Sequence, residues 1–154
     1  MSSPLDRLIS EKHVDQVVRD CVQILREEAA KKRGVSGVMI KGGLKLIEKI
    51  RPRILDDLFY SLLPPFIEGL KPLYHQYQTQ TQSQLELSVF LADHASEVAS
   101  TLLQVTDERA TRSKMSALVT IYRKLRPMAH EHIMIAIPAL GKLLDHHTSD
   151  RKIP

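Results

Sequence analysis

Apolar residues recur at three- and four-residue steps along most of the chain. From Glu11 onward, Val14, Val17, Val18, Cys21, Val22, Leu25 and Ala29 share one face, while Asp15, Arg19, Arg26 and Glu27 fall mostly between them, as in an amphipathic helix. The run Lys31-Lys32-Arg33-Gly34 predicts its end, because cations suit the negative pole of a helix and glycine accepts a left-handed turn. Ser36 is then expected to cap a second helix over about residues 37–50, with Ile40, Leu44 and Ile47 on one face and Lys41, Lys45 and Lys49 on another. Pro52 marks the break, and a third helix is expected over about 52–63. Pro64-Pro65 interrupts the pattern before Phe66, Ile67, Leu70, Leu73, Tyr74 and Tyr77 suggest a fourth helix, bent at Pro72.

Residues 76–84 are almost wholly Gln and Thr and have no apolar face to bury, so they read as a linker. Ser83 and Glu86 have the spacing of a capping box. A long helix is expected from there to about Val105, another over about 109–125, and a last one, bent at Pro138, to about Asp145. No segment alternates with the two-residue period of a strand. The expected fold is all-α, a compact multi-helix bundle forming a single helical domain over 1–154.

The halves also resemble each other. Lys49-Ile50-Arg51-Pro52 and Lys124-Leu125-Arg126-Pro127 lie 75 residues apart, and both are expected to end a helix. Leu62-Leu63-Pro64-Pro65-Phe66 parallels Ala136-Ile137-Pro138-Ala139-Leu140, and Val14, Val18, Cys21, Val22 and Leu25 align with Leu91, Ala95, Val98, Ala99 and Leu102. A tandem duplication would give similar units over 11–77 and 83–147, joined by the Gln/Thr-rich linker.

Composition narrows the function classes. One cysteine, Cys21, in 154 residues excludes an internal disulfide scaffold and a cysteine-rich zinc site. No apolar run reaches the roughly 18 residues of a membrane-spanning helix, and the first residues lack the apolar stretch of a secretory signal; a cytoplasmic location is the expectation. The net charge of +4 is unevenly spread: residues 1–53 carry +5, residues 54–107 carry −6 and residues 108–154 carry +5. Such blocks can steer an acidic partner or attract one another within the fold.

The local chemistry is sparse. Residues 37–43 superficially resemble a phosphate-binding loop, but Gly43 stands where its lysine belongs and no strand precedes it. Gly42-Gly43 reads better as a smooth helix surface that another helix approaches. Gly34-Val35-Ser36-Gly37 lacks the full nucleophile elbow. His130 and His132 diverge by about 200° on a helix, and His94 with Glu97 makes too small a set to close a metal site. Asp56-Asp57 and Asp107-Glu108 read as carboxylates at helix starts. No acid, base and nucleophile converge by local spacing.

Two surfaces stand out. Lys41, Lys45 and Lys49, extended by Arg51 and Arg53, form a candidate face for an anionic partner. Leu62, Leu63, Phe66 and Ile67, together with Ile133, Ile137 and Leu140, could line an apolar groove if proline bends hold their helices apart. The absence of Trp and the 5% aromatic content leave the lysines without a base-stacking platform, which makes nucleic acid an unlikely partner.

The succession Gly34-Val35-Ser36-Gly37, Lys49-Ile50-Arg51-Pro52, Leu62 through Leu70, Val105 through Ala110 and Ile137-Pro138-Ala139-Leu140-Gly141 resembles a family of small, all-helical, functionally uncharacterised bacterial proteins. The resemblance spans almost the whole chain and implies fold and compartment, without catalytic residues to carry over. The expectation is therefore a non-enzymatic, cytoplasmic helical binding or assembly protein without a cofactor, whose occupant is a protein partner or a second copy. A small apolar-ligand or lipid carrier and a weak phosphate-directed nucleic-acid binder stay open as alternatives.

Overall fold

The computed structural model describes residues 3–80 and 86–148. A 3₁₀ helix, Pro4–Ile9, opens the chain and is followed by α1 (Val14–Lys31), α2 (Gly34–Glu48), α3 (Ile54–Gln80), α4 (Leu87–Asp93), α5 (Ala95–Arg112) and α6 (Ser116–Thr148). Among the described residues there is no strand. The opening helix is fixed by a capping box: Ser3 Oγ accepts from the Leu5 amide at 3.2 Å, and the Ser3 amide donates to Asp6 Oδ2 at 2.9 Å.

The two long helices, α3 and α6, are joined through shared partners. The 3₁₀ helix, α1, α2 and α5 each touch both, and α4 lies on α5 and α6. One apolar core runs through all of this. Leu5 and Leu8 of the opening helix, Val17 and Val18 of α1, Ile54 and Ile67 of α3, Val98 of α5 and Ile137 of α6 are almost completely buried. Hence the expected amphipathic α1 forms as its period dictates, with Val17, Val18, Cys21, Val22 and Ala29 inward.

Several expected boundaries are corrected. Pro64, Pro65 and Pro72 lie inside α3, and Pro127 and Pro138 inside α6. All five occupy exposed positions, where the carbonyl left without its amide donor four residues earlier can be hydrated and the ring sits away from the core. Helix ends expected near Leu63 and Leu125 are therefore absent. The break expected between Val105 and Arg109 lies instead at residues 113–115, which puts Asp107 and Glu108 near the end of α5 rather than at a helix start. Of the Gln/Thr tract, residues 76–80 continue α3; residues 81–84, with Ser83 of the expected capping box, lie outside the described residues.

Lys49-Ile50-Arg51-Pro52 does end a helix, whereas the matching Lys124-Leu125-Arg126-Pro127 runs through α6. At the first of these the chain turns through residues 49–53, with Arg53 at φ +61°, a left-handed conformation costly for a non-glycine residue. This turn separates α2 from α3.

Candidate functional site: the outward face of α2

α2 is held against the bundle along one side only. Gly34 takes φ +76°, which lets the chain reverse from α1 into α2. Gly37 then lies so close to Lys32 that an added Cβ would stand 2.7 Å from the Lys32 carbonyl carbon, and at Gly43 it would stand 2.7 Å from Leu125 Cδ1 of α6. Ser36 caps nothing, contrary to expectation. The cap position belongs to Arg33, which offers no side-chain hydrogen bond, and Ser36 Oγ instead meets His132 Nε2 of α6 at 3.2 Å. Leu44 and Ile47 pack on the core from the same side.

The opposite side of α2 faces water and is apolar. Val35 is 81% exposed, Val38 69%, Met39 41% and Leu46 55%. These are four of the seven exposed large apolar residues among those described. Gly42 sits among them with open space where a Cβ would be, so only one of the expected glycine pair, Gly43, serves a close helix approach. Positions 35, 38/39, 42 and 46 follow the helical repeat and form one stripe along the axis.

Lys41, Lys45 and Lys49 run along the edge of this stripe. None of their side chains forms a hydrogen bond or ion pair with the described residues, and neither does that of Arg33 at the head of the helix. The outer two members of the expected basic face are different: Arg51 Nη2 is 3.1 Å from Asp57 Oδ2, and Arg53 Nε is 3.4 Å from Asp56 Oδ2. Between residues 33 and 49 the only acid is Glu48, whose carboxylate is held by Arg26 at 2.9 Å. The face is thus apolar and cationic, with no free carboxylate of its own.

Beneath α2, His132 Nδ1 is buried without a hydrogen-bond partner. Burial, and secondarily the nearby Lys32 charge, lowers the His132 pKa below 6.5, so the neutral imidazole is the form that suits this contact.

The expected apolar groove is not assembled as a groove. Leu63, Ile67 and Ile137 are core residues, Phe66, Ile133 and Leu140 are half-buried against that core, and Leu62 is half-buried on α3. The two segments lie on α3 and α6, which share the 3₁₀ helix, α1, α2 and α5 as partners.

A second, polar groove of about 350 Å³ lies between α5 and α6. Its centre is Asp107, whose Oδ1 accepts from Arg126 Nε at 2.9 Å and from the Tyr122 hydroxyl at 2.6 Å, while Oδ2 accepts from Arg126 Nη2 at 3.0 Å. The Arg126 guanidinium, with Tyr122 in support, holds the Asp107 pKa below its ordinary value, and burial, with Asp107 in support, pushes the Tyr122 phenol up to about 12. Nearby, His130 Nε2 is 3.2 Å from Ser100 Oγ. The same nitrogen also faces Ser96 Oγ at 3.4 Å and the Ser96 carbonyl at 3.2 Å. Ser100 lies inside α5, where the surrounding amides are already engaged in the helix and none is free for an oxyanion. The groove is a brace between two helices.

The remaining histidines disperse. His94 ends α4, its Nδ1 2.8 Å from the Phe90 carbonyl, and His147 Nε2 meets Asp20 Oδ2 at 2.8 Å. His130 and His132 point to α5 and α2 respectively, as their spacing requires. Among the described residues no group of three metal-ligating side chains gathers, and no helix is long and apolar enough to cross a membrane.

Sequence reasoning found the lysine edge and missed the stripe beside it. The signal was present: apolar residues at 35, 38, 39, 40, 44, 46 and 47 occupy more than one face of a helix, a surplus over what a single buried stripe requires.

A family of unknown function (DUF6918) has a model that matches residues 5–148. No curated protein and no solved structure matches the chain.

Proposed function

The chain belongs to that family of unknown function, DUF6918, and as membership brings no activity with it, we propose that the protein is a non-enzymatic, cytoplasmic binding or assembly module that docks through the outward face of α2. The observation that carries this is the exposure of Val35, Val38, Met39 and Leu46 in one stripe beside three lysines without partners. Exposed apolar side chains scattered singly are ordinary on a protein surface, whereas a contiguous set rimmed by charge marks a contact surface. A nucleic-acid phosphate backbone would engage the lysines alone and leave the stripe in water, so it fits the face less well.

An apolar, anionic dye such as anilinonaphthalene sulfonate tests the reading. It should bind the native protein, and Val38→Ser/Leu46→Ser should remove most of the fluorescence while leaving the fold intact, since both positions are exposed. Fluorescence unchanged in that variant would place the contact surface elsewhere. Native mass measured beside denatured mass then separates self-assembly, seen as whole-number multiples, from capture of another partner.

The tandem duplication belongs to the same reading. α1 and α5 each contain 18 residues, each follows a short helix, and their ends correspond at an offset of 81, against 77 for the aligned apolar residues such as Val14 and Leu91 and 75 for the Lys-x-Arg-Pro segments. In this view the continuous α6 corresponds to α2 and α3 together, and the turn at 49–53 is what frees α2 to present a face of its own.

A further inference from the structure

Resting on α2 as the docking face, we propose that its partner is an anionic lipid bilayer surface, on which the helix lies flat. Three features of the face select this partner. First, the apolar residues form a line, not a knob: Val35 and Leu46 are eleven residues apart, about 16 Å along the axis. A helix with such a stripe beside lysines seats its apolar edge at the boundary between headgroups and acyl chains, with the ammonium groups among the phosphates. Second, the face is convex. No α2 residue lines the groove between α5 and α6 or the one between α3 and α5, and at its middle Gly42 leaves open space; protein contacts draw their energy from side chains seated in complementary pockets, which a fluid headgroup layer does not need.

Third, the charge is one-sided. Lys41, Lys45 and Lys49 have no carboxylate to satisfy them, because Glu48 is occupied by Arg26. A second copy meeting this face about a two-fold axis would set lysines against lysines. An anionic bilayer supplies the missing charge over the whole length of the helix, and each lysine near such a surface strengthens binding.

The test is co-sedimentation of the full chain with vesicles of phosphatidylcholine alone and with about one third phosphatidylserine. Binding is expected only to the phosphatidylserine vesicles, and to weaken steeply between 0.05 and about 0.5 M salt. Lys41→Gln/Lys45→Gln/Lys49→Gln should weaken it about a hundredfold. Val35→Ser/Val38→Ser/Leu46→Ser should weaken it at unchanged charge. Five of the six positions are exposed and Lys41 is half-buried, and circular dichroism confirms that each variant is folded.

No binding to phosphatidylserine vesicles at low salt, or binding indifferent to both variants, overturns the proposal. If the vesicles fail while the dye still reads α2, the docking face stands and its partner is an acidic protein surface. If neither the dye nor the vesicles respond to substitutions on α2, the docking face falls as well. Binding lost with the lysine variant but unchanged by the serine variant also overturns the proposal, since it reduces the contact to diffuse charge attraction.

Discussion

Glycine at two positions of this chain has opposite consequences. Gly141 of α6 lies against the backbone of α4: an added Cβ would stand 2.7 Å from Ser88 Cα, and backbone cannot swing aside as the end of a side chain can. Gly141→Ala should therefore lower stability by about 1–3 kcal/mol, the usual range for overpacking. Gly42 has nothing within 4 Å of that point and sits inside a helix. Gly42→Ala should raise stability by about 0.8 kcal/mol, the helix-propensity difference alone. Urea denaturation of the two variants checks both signs. The paired glycines in the sequence did not reveal which of them faced a neighbour, because that depends on where Leu125 arrives from α6.

His132 adds a pH dependence at the same scale. Its folded pKa lies below the ordinary 6.5, so the unfolded chain takes up this proton first as pH falls. The contribution is present in full above the unfolded value and is lost as pH falls from there through the folded one. His132→Gln should flatten that part of the stability profile relative to the wild type, as measured by denaturation between pH 7.5 and 4.5. An unchanged slope would show that the imidazole does not titrate differently in the folded chain.

At the scale of elements, the helical period and the end of α1 were legible because each rests on local chemistry. The lengths of α3 and α6 were not. A proline inside an isolated helix costs about 3 kcal/mol, and Pro64, Pro65 and Pro127 were read as breaks on that basis. Their positions are exposed, and tertiary burial of the opposite face outweighs the local penalty. Lys49-Ile50-Arg51-Pro52 and Lys124-Leu125-Arg126-Pro127 show the same point: near-identical segments end one helix and pass through another. In the second, Arg126 forks on Asp107 and ties α6 to α5. Arg126→Leu should cost roughly 1 kcal/mol, kept small because both partners are about 40% exposed and solvent screens them. The Asp107 clamp could not be read from sequence, since it joins residues 19 apart on different helices.

Over the whole molecule, the alternating charge blocks resolve into ties between blocks. Arg51 and Arg53 reach Asp57 and Asp56, Lys71 reaches Asp6, and Arg126 reaches Asp107; the lysines of α2 are among the cations that stay outside these ties. The core is shared in the same way. Leu5 and Leu8 of the opening helix, each 1% exposed, are drawn into a cluster that also holds Leu143 and Leu144 near the end of α6. Arg7 donates to the Thr148 carbonyl at 3.3 Å, and His147 meets Asp20, so the two ends of the described chain close on each other. If the halves were separate units, damage at the opening helix would melt only the first. Because the cluster spans both, Leu8→Ala should remove about 3 kcal/mol, the cost of an unfilled cavity, and should shift one unfolding transition for the entire chain. Cys21 supplies the independent probe. Its thiol is buried, and burial pushes its pKa up to about 12, so it should react with a thiol reagent only on unfolding. Coincident midpoints from Cys21 labelling and from the fluorescence of a tryptophan placed on α6 by Tyr122→Trp, in a chain that has no other Trp, are the expected result with and without Leu8→Ala. A tryptophan signal that stays in place while Cys21 becomes reactive would mean two cores instead of one.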